Sequence, residues 1–447
     1  MDTKNDFSKG SIIVHMARLA IPMTIAQMIN ILYNIIDRVF IGYIPNDATN
    51  ALTGLGIAFP VCTITIAFAN LVGAGGGPFF SIERGKGDNN EAECILGNSF
   101  LLLLIIGVLL SFAIGAFKEP LLYLFGASEA TFKYADDYVS IYLVGTVFVM
   151  LSLGLNFFIN AQGFAKTGMA TVAIGAICNI ILDPIFIFKL DMGVKGAAYA
   201  TIISQFASAI WTLAFLTGKK TELRIRLKAM KLKSSRVKKI LALGLSGFTM
   251  QITNGLVQIL CNKTLSVYGG DIYIAAITII NSVREVATLG LSGVGNGSQP
   301  IISFNYGASR YDRVKKTIIM MVTGLFAYTM VAWILIMVFP NQIIQCFNRD
   351  TELLPVAVKS MHIYFFGFFM MAFQFSGQTV FQSLGRSKYA VFFSFLRKVF
   401  IVVPLTLLLP MIDSIGVYGV FLAEPISNFI GGLACVLTMY FTVYRKL

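Results

Sequence analysis

Long apolar stretches alternate with short polar ones along the whole chain. Each apolar stretch has about the 20 residues that an α-helix needs to cross a bilayer. Polar breaks such as Pro45-Asn46-Asp47 and Lys118-Glu119-Pro120 separate them. The pattern predicts twelve spanning helices, at roughly 16–43, 51–77, 95–117, 136–159, 168–189, 194–217, 240–266, 272–297, 317–340, 359–383, 389–411 and 415–443. We therefore expect an all-α membrane protein.

A basic segment at residues 218–239 divides the predicted helices into two sets of six. It carries ten Lys and Arg residues against one acidic residue, Glu222. A basic run of this kind can bind nucleic acid, but between hydrophobic spans it is typical of a cytoplasmic loop. The predicted organisation is an N-terminal six-helix lobe at 1–217, a basic cytoplasmic linker at 218–239 and a C-terminal six-helix lobe at 240–447.

The distribution of basic residues between alternate loops predicts the orientation of the chain. Loops on the side of the basic segment, together with both termini, hold 23 Lys and Arg residues, beginning with Lys4. The opposite side holds five, namely Lys118, Lys133, Lys189, Lys195 and Arg349. Positive charge marks the cytoplasmic side. We therefore expect a multi-pass protein of the bacterial cell membrane with both termini in the cytoplasm.

The two halves resemble each other. A shift of 222 to 224 residues aligns Gln27-Met28-Ile29-Asn30 with Gln251-Ile252-Thr253-Asn254, and Gly163 to Lys166 with Gly385 to Lys388. A repeat of six spans returns to its starting side of the membrane, so both copies have the same topology. The repeat predicts two pseudo-symmetric six-helix lobes, an arrangement that suits alternating access.

The amino-acid composition argues against a soluble protein and against an enzyme. Of the 447 residues, 56% are hydrophobic and 13% charged, against about 25% charged residues in soluble domains. Two histidines and six cysteines without a CxxC pair offer little material for a catalytic triad or a metal centre. We expect no enzyme activity, no cofactor, no nucleic acid and no obligatory protein partner.

Two carboxylates inside predicted spans of the first half are the strongest candidates for chemistry. Asp37 and Asp183 each lie about six residues from the outer end of a span, with Asn30, Asn179 and Thr201 at suitable positions. Paired carboxylates can carry a proton, and these oxygens can bind Na+, the one metal ion expected. In the alternative interpretation, Asp37 pairs with the neighbouring arginine and Asp183 ends or kinks its helix.

The second half has no counterpart of this pair but carries charged residues of its own. They are Arg284, Glu285, Arg397, Lys398 and Glu424. The two glutamates are candidates for meeting a cationic substrate. Equally, they can form structural ion pairs with Arg284 or Arg397, and the sequence leaves both interpretations open.

The sequence resembles the multidrug and toxic compound extrusion (MATE) family, in the bacterial branch of the DNA-damage-inducible efflux-like proteins. The motifs that carry the resemblance are Leu32-Tyr33-Asn34-Ile35-Ile36-Asp37 with Gly42, Asn179-Ile180-Ile181-Leu182-Asp183-Pro184, Gly196-Ala197-Ala198-Tyr199-Ala200-Thr201 and Gln299-Pro300-Ile301-Ile302 with Asn305-Tyr306-Gly307-Ala308. The resemblance implies antiport of small amphipathic or cationic drugs, antibiotics among them, outward against inward H+ or Na+.

The resemblance also implies roles for individual residues. The coupling cation would bind in the first lobe, at Asp37, Asn179, Asp183, Thr201, Asn156 and Asn30. Apart from the resemblance, the polar and charged residues inside the predicted spans that we assign to substrate binding are Gln27, Gln251, Asn254, Glu285, Arg397 and Glu424. Two rival functions remain. A flippase for lipid-linked oligosaccharides would need a cluster of cations, and a membrane-embedded lipid enzyme would need a nucleophile and a base at one depth.

Overall fold

The computed structural model describes residues 6–44, 48–348 and 350–447. The predicted loop at Pro45-Asn46-Asp47, and Lys4 and Arg349 from the charge comparison, lie outside these residues. All secondary-structure elements in the described ranges are helices. Twelve of these helices are long and apolar enough to cross a membrane. The predicted fold class, an all-α membrane protein with twelve spans, is confirmed.

The spanning helices are α1 (Ile12–Gly42), α2 (Ala48–Lys86), α3 (Asn89–Ala116), α4 (Glu129–Ala161), α5 (Ala165–Lys189), α6 (Gly193–Thr217), α7 (Ser234–Tyr268), α8 (Asp271–Gly307), α9 (Tyr311–Val338), α10 (Leu353–Ser383), α11 (Ser387–Met411) and α12 (Tyr418–Lys446). Several are longer than hydropathy predicts, because polar residues add turns at their ends. Helix α2, for example, continues past the last apolar residues to Lys86. The Asp88 side chain then caps α3 by accepting a hydrogen bond from the Glu91 amide at 2.9 Å.

Several of the spanning helices are irregular. Helix α8 is interrupted at Thr288, and α10 contains a 3-10 turn at Phe368–Met370. Helix α5 ends in a π-helical turn at Ile185–Lys189, directly after Pro184. Helix α11 contains a longer π-helical segment at Leu396–Val402. Such segments inside α-helices often mark functional sites.

Contacts divide the described chain into two units, of which the first contains Ile21–Phe248. Close backbone packing connects α2 with the beginning of α7 in this unit. A Cβ atom added at Gly244 would overlap the Leu71 carbonyl oxygen, and one added at Gly75 would overlap that of Ile240. Glycine is needed where two helices approach this closely.

The basic segment packs against the first unit instead of forming a free loop. The Asn98 side chain, buried in α3, donates to the Lys231 carbonyl and accepts from the Lys233 amide, both at 3.0 Å. Arg236 forms two hydrogen bonds with the Glu91 carboxylate, at 2.7 and 2.6 Å. The segment is also shorter than the predicted 218–239, because α7 already begins at Ser234.

The second unit contains Phe7–Ala20 and Thr249–Leu447. The start of the chain belongs here because Arg313 donates to the carbonyls of Phe7 and Gly10, both at 3.0 Å. The Phe7 ring also packs edge-on against Phe304. This division differs from the predicted lobes: residues 7–20 group with the second half, and the first part of α7 groups with the first half.

Candidate functional site

The Asp37 and Asp183 side chains lie next to each other inside the first unit. Asp37 is 7% exposed and Asp183 is fully buried. The two carboxyl groups are close enough to interact electrostatically, so a proton or a cation between them would relieve their repulsion. Asp37 Oδ1 and Asp183 Oδ2 have no hydrogen-bond partner among the described residues. Helices α1 and α5 thus bring the two predicted carboxylates together.

Asn179 positions Asp183 from one turn earlier on α5. Its Nδ2 donates to Asp183 Oδ1 at 3.2 Å, as the spacing of four residues in a helix allows. The Asn179 Oδ1 atom is buried and has no partner in the described part of the chain. The amide therefore fixes one carboxylate oxygen and leaves its own oxygen available to a ligand.

Thr201 of α6 adds a fourth oxygen to the group. Its hydroxyl is buried, and the phenol groups of Tyr33 and Tyr138 lie close to it. It has no partner of good hydrogen-bond geometry in the described ranges. Four oxygens without partners thus come from Asp37, Asn179, Asp183 and Thr201, a set that suits a proton or a hard monovalent cation.

Two residues assigned to the same site lie elsewhere. Asn30 lies two turns before Asp37 on α1, where its side-chain oxygen accepts a hydrogen bond from Asn34 at 3.1 Å. Asn156 of α4 donates to the Gly168 carbonyl at 3.2 Å. Gly168 precedes Asp183 by fifteen residues, about 22 Å along a helix. The structure therefore does not bring Asn156 into the carboxylate group.

In the second unit, Glu424 of α12 forms ion pairs with both charged residues of the α11 π-helical segment. Arg397 donates to Glu424 Oε1, and Lys398 Nζ lies 3.3 Å from Glu424 Oε2. All three side chains are buried. Of the two interpretations that the sequence left open for Glu424, the structure favours the ion pair: its carboxylate is already occupied by two cations.

The other residues assigned to substrate binding form no group. Glu285 and Gln27 are exposed, and Gln251 and Asn254 are half-buried. In the ranges that the structure describes, none of the four makes a side-chain hydrogen bond or an ion pair. Their assignment stays a prediction.

Three tyrosines around the first-unit group were missed by the sequence analysis. Tyr33 precedes Asp37 by four residues, so helical spacing on α1 alone was a signal for it. Tyr138 and Tyr142 are buried on α4, with ring centroids 6.1 Å apart. No sequence pattern indicates them, because they reach this region only through the tertiary packing of α4 against α2 and α6.

Comparison with known proteins identifies the family. The MatE family model matches residues 22–185 and 247–408. "Multidrug export protein MepA" of Staphylococcus haemolyticus is 25% identical over 425 residues, covering 95% of this chain and 93% of its own. The protein of the same name from Staphylococcus aureus strain MSSA476 is 24% identical, covering 97% and 95%.

Solved structures share the fold. A structure described as the outward-facing conformation of a multidrug resistance MATE family transporter of the MOP superfamily has a TM-score of 0.93 and 22% identity, covering 100% of this chain and 99% of its own. A MOP superfamily transporter from Pyrococcus furiosus, described by a binding pocket of reverse polarity, has a TM-score of 0.92 and 22% identity, covering 99% and 98%.

The family match covers part of each six-helix half, and it includes Asp37, Asn179 and Asp183 of the carboxylate group. The predicted family and the predicted absence of enzyme activity agree with these findings. The chain belongs to the MatE family of membrane transporters.

Proposed function

We propose that this protein is a secondary antiporter that exports small amphipathic drugs in exchange for H+ or Na+ by alternating access. The export of several drugs is suggested by its relatives, which are named multidrug export proteins. Exchange for a cation is suggested by the buried carboxylate group of the first unit.

The observation that carries the proposal is the side-by-side burial of Asp37 and Asp183. Two adjacent carboxylates repel each other when both are ionised, and burial removes the water that would screen them. A proton or a bound cation relieves this repulsion. Loading and release of that cation can therefore change the stability of one arrangement of the helices relative to another, which is what coupling requires.

The oxygen atoms of the group suit a monovalent cation better than a transition metal. Among the described residues no cluster of three or more His, Cys, Asp and Glu side chains could hold a metal ion. Na+ prefers hard oxygen ligands, and the four oxygens that lack hydrogen-bond partners in the described ranges supply them. A proton needs only the two carboxylates, so the same group is also suited to H+.

Ethidium efflux from cells and from inverted vesicles tests the proposal. An imposed Na+ gradient and an imposed pH gradient are compared for wild type, Asp37→Asn and Asp183→Asn. The matched control is Asp137→Asn, because Asp137 pairs with Lys195 at 3.4 Å in the same unit. We expect both site variants to lose gradient-driven efflux while the control keeps it. Normal efflux by both site variants contradicts the assigned coupling site.

We further propose a bacterial cell-membrane location with both termini in the cytoplasm. The support is the excess of Lys and Arg on one side of the predicted topology. Reporter fusions at each terminus, one active only in the cytoplasm and one active only outside it, test this orientation. Activity of the external reporter at either terminus contradicts it.

A further inference from the structure

The cations of the second unit exceed the carboxylate that pairs with them. Glu424 contacts Arg397 and Lys398, and Arg284 of α8 is a third cation that interacts electrostatically with the same carboxylate. The other titratable neighbours of Arg284 are Tyr364, Cys261 and the exposed Glu285. The four core residues, which we call the cationic cluster (Arg284, Arg397, Lys398 and Glu424), therefore carry two positive charges in excess when ionised.

The position of the cluster makes this excess costly. Arg397 and Lys398 lie near the middle of α11 and are 6% and 5% exposed. Arginine and lysine at the centre of a membrane helix cost about 2.5–3.5 kcal/mol each on insertion scales. Buried charges are normally paired, yet within the described chain one buried carboxylate serves three cations. The excess of buried positive charge therefore favours the binding of a second anion beside Arg397 and Lys398.

One donor of the cluster is free to bind that anion. Arg397 Nε is buried and has no hydrogen-bond partner among the described residues, although another nitrogen of the same guanidinium donates to Glu424. The backbone beside it is held by Ser427, whose hydroxyl donates to the Arg397 carbonyl at 3.2 Å. A guanidinium with one edge occupied and an N–H left over can bind an oxyanion with the remaining donor.

The π-helical segment explains how two consecutive cations reach one carboxylate. Consecutive residues of an α-helix point about 100° apart, which separates neighbouring side chains. Leu396–Val402 forms a wider π-helical turn, and both Arg397 and Lys398 contact Glu424 from it. Glu424 thereby fixes the direction of both cations, and the half-buried Arg284 lies at the more accessible part of the cluster.

We infer that the cationic cluster binds the oxyanion group of an amphipathic molecule, a phosphate, carboxylate or sulfonate carried by a free organic anion or by a lipid headgroup. In this site Arg397 Nε, Lys398 and Arg284 contact the anion, and Glu424 orients the first two. As a substrate site it rests on the proposed export function, and it extends the substrate class from cations to anionic and zwitterionic amphiphiles.

Binding of 5-carboxyfluorescein by the purified full-length protein in a neutral detergent tests the inference. Fluorescence anisotropy is measured for wild type, Arg284→Gln and Arg284→Lys. Arg284 is the residue chosen for substitution, because Glu424 keeps both of its hydrogen-bonded cations when Arg284 is replaced. The control Lys316→Gln removes one exposed positive charge from the same unit.

We expect saturable binding by wild type, binding about tenfold weaker in Arg284→Gln because one charge-assisted contact is lost, and near-normal binding in Arg284→Lys and Lys316→Gln. Absence of saturable binding by wild type, or equal binding by Arg284→Gln, overturns the inference. If Arg284→Gln does not fold, Lys398→Gln replaces it with the same expected loss.

Two further measurements are needed. The first distinguishes a lipid headgroup from a free organic anion as the ligand, and the second distinguishes failure of the anion site from failure of the proposed export function. In nanodiscs of neutral phosphatidylcholine, displacement of the dye by added phosphatidylglycerol identifies a lipid headgroup as the ligand, and lack of displacement identifies a free anion. Ethidium efflux without dye binding overturns the anion site and leaves the proposed export intact. Dye binding without efflux of any dye supports the anion site and contradicts the export function.

Discussion

Asn179 donates a hydrogen bond to one oxygen of Asp183 at 3.2 Å, while the other oxygen of this buried carboxylate has no donor among the described residues. The amide therefore holds the carboxylate in one orientation with its free oxygen directed away from the amide. Positioning by a second residue of this kind normally sharpens the affinity of an ion site.

Replacement of Asn179 by alanine tests this positioning role. We expect Asn179→Ala to raise the half-saturating concentration of the coupling ion by about tenfold, the lower end of effects for such positioning residues. The maximal efflux rate and the apparent affinity for ethidium should change less. Initial efflux rates at graded ion gradients measure both quantities. Asn90→Ala, an exposed change on α3, is the control, and an unchanged ion dependence in Asn179→Ala contradicts the role.

Replacement of Thr201 tests whether Na+ or H+ is the coupling ion. Thr201→Val keeps the shape of the side chain but removes an oxygen, which a Na+ ion needs as a ligand and a proton on the carboxylates does not. We expect Na+-driven efflux to require about tenfold more Na+, on the scale of one lost charge-assisted contact, and proton-driven efflux to continue. Thr212→Val, whose hydroxyl donates to the Ser208 carbonyl on the same helix, controls for helix stability.

Glu424 balances the charges of the second unit. Glu424→Gln leaves Arg397 and Lys398 buried without a carboxylate, and breaking a buried pair in this way costs about 3–5 kcal/mol. We expect a large fall in the apparent Tm of the purified protein. Glu285→Gln, an exposed glutamate of the same unit, should leave the Tm almost unchanged. Equal melting of the two variants contradicts the ion-pair role of Glu424.

Asn98 holds the basic segment against the first unit. In Asn98→Ala, the Lys231 carbonyl and the Lys233 amide lose their side-chain partner, at a cost of about 2–3 kcal/mol. We expect faster cleavage by trypsin after Lys231 and Lys233. Timed digestion of the purified protein measures the rate, with Asn90→Ala as the control. A cleavage rate equal to that of the control contradicts the role of Asn98 in holding the basic segment.

The close approach of α2 and α7 depends on Gly244. A methyl group there meets the Leu71 backbone oxygen, which cannot move aside as a side chain can. We expect Gly244→Ala to destabilise the protein by about 1–3 kcal/mol, the usual cost of overpacking. Gly56→Ala on α2, where a Cβ atom meets nothing within 4 Å, should keep or raise the apparent Tm. A thermal shift measurement compares the two.

Hydropathy predicts the twelve spans because the bilayer imposes the same length on every helix. The pairing of Asn179 with Asp183 follows from local helical spacing, and the sequence indicates it for the same reason. Tyr138 was not predictable, since it reaches Thr201 only through packing of α4 against other helices. Asn156 was assigned from a motif, and tertiary structure places it near Gly168 instead.

The charged residues of the second half could be located from the sequence, but the residues with which they pair could not. The sequence places Arg397 and Glu424 in neighbouring spans and leaves a substrate contact and an ion pair open, because either satisfies a buried carboxylate. Only the structure shows that two cations from one π-helical segment meet it. The basic segment was expected to be a loop, and its attachment through Asn98 depends on contacts that composition does not encode.

The division of the chain inside α7 has a consequence for modularity. The first unit ends at Phe248 and the second resumes at Thr249, within a continuous helix and fourteen residues after the start of α7 at Ser234. A cut in the basic segment therefore does not yield two self-contained halves. The C-terminal fragment would carry a length of helix that packs on its counterpart, and it would lack the Phe7–Ala20 portion. Co-expressed fragments divided there should depend on each other for folding, as interlocking pieces and not as separable modules.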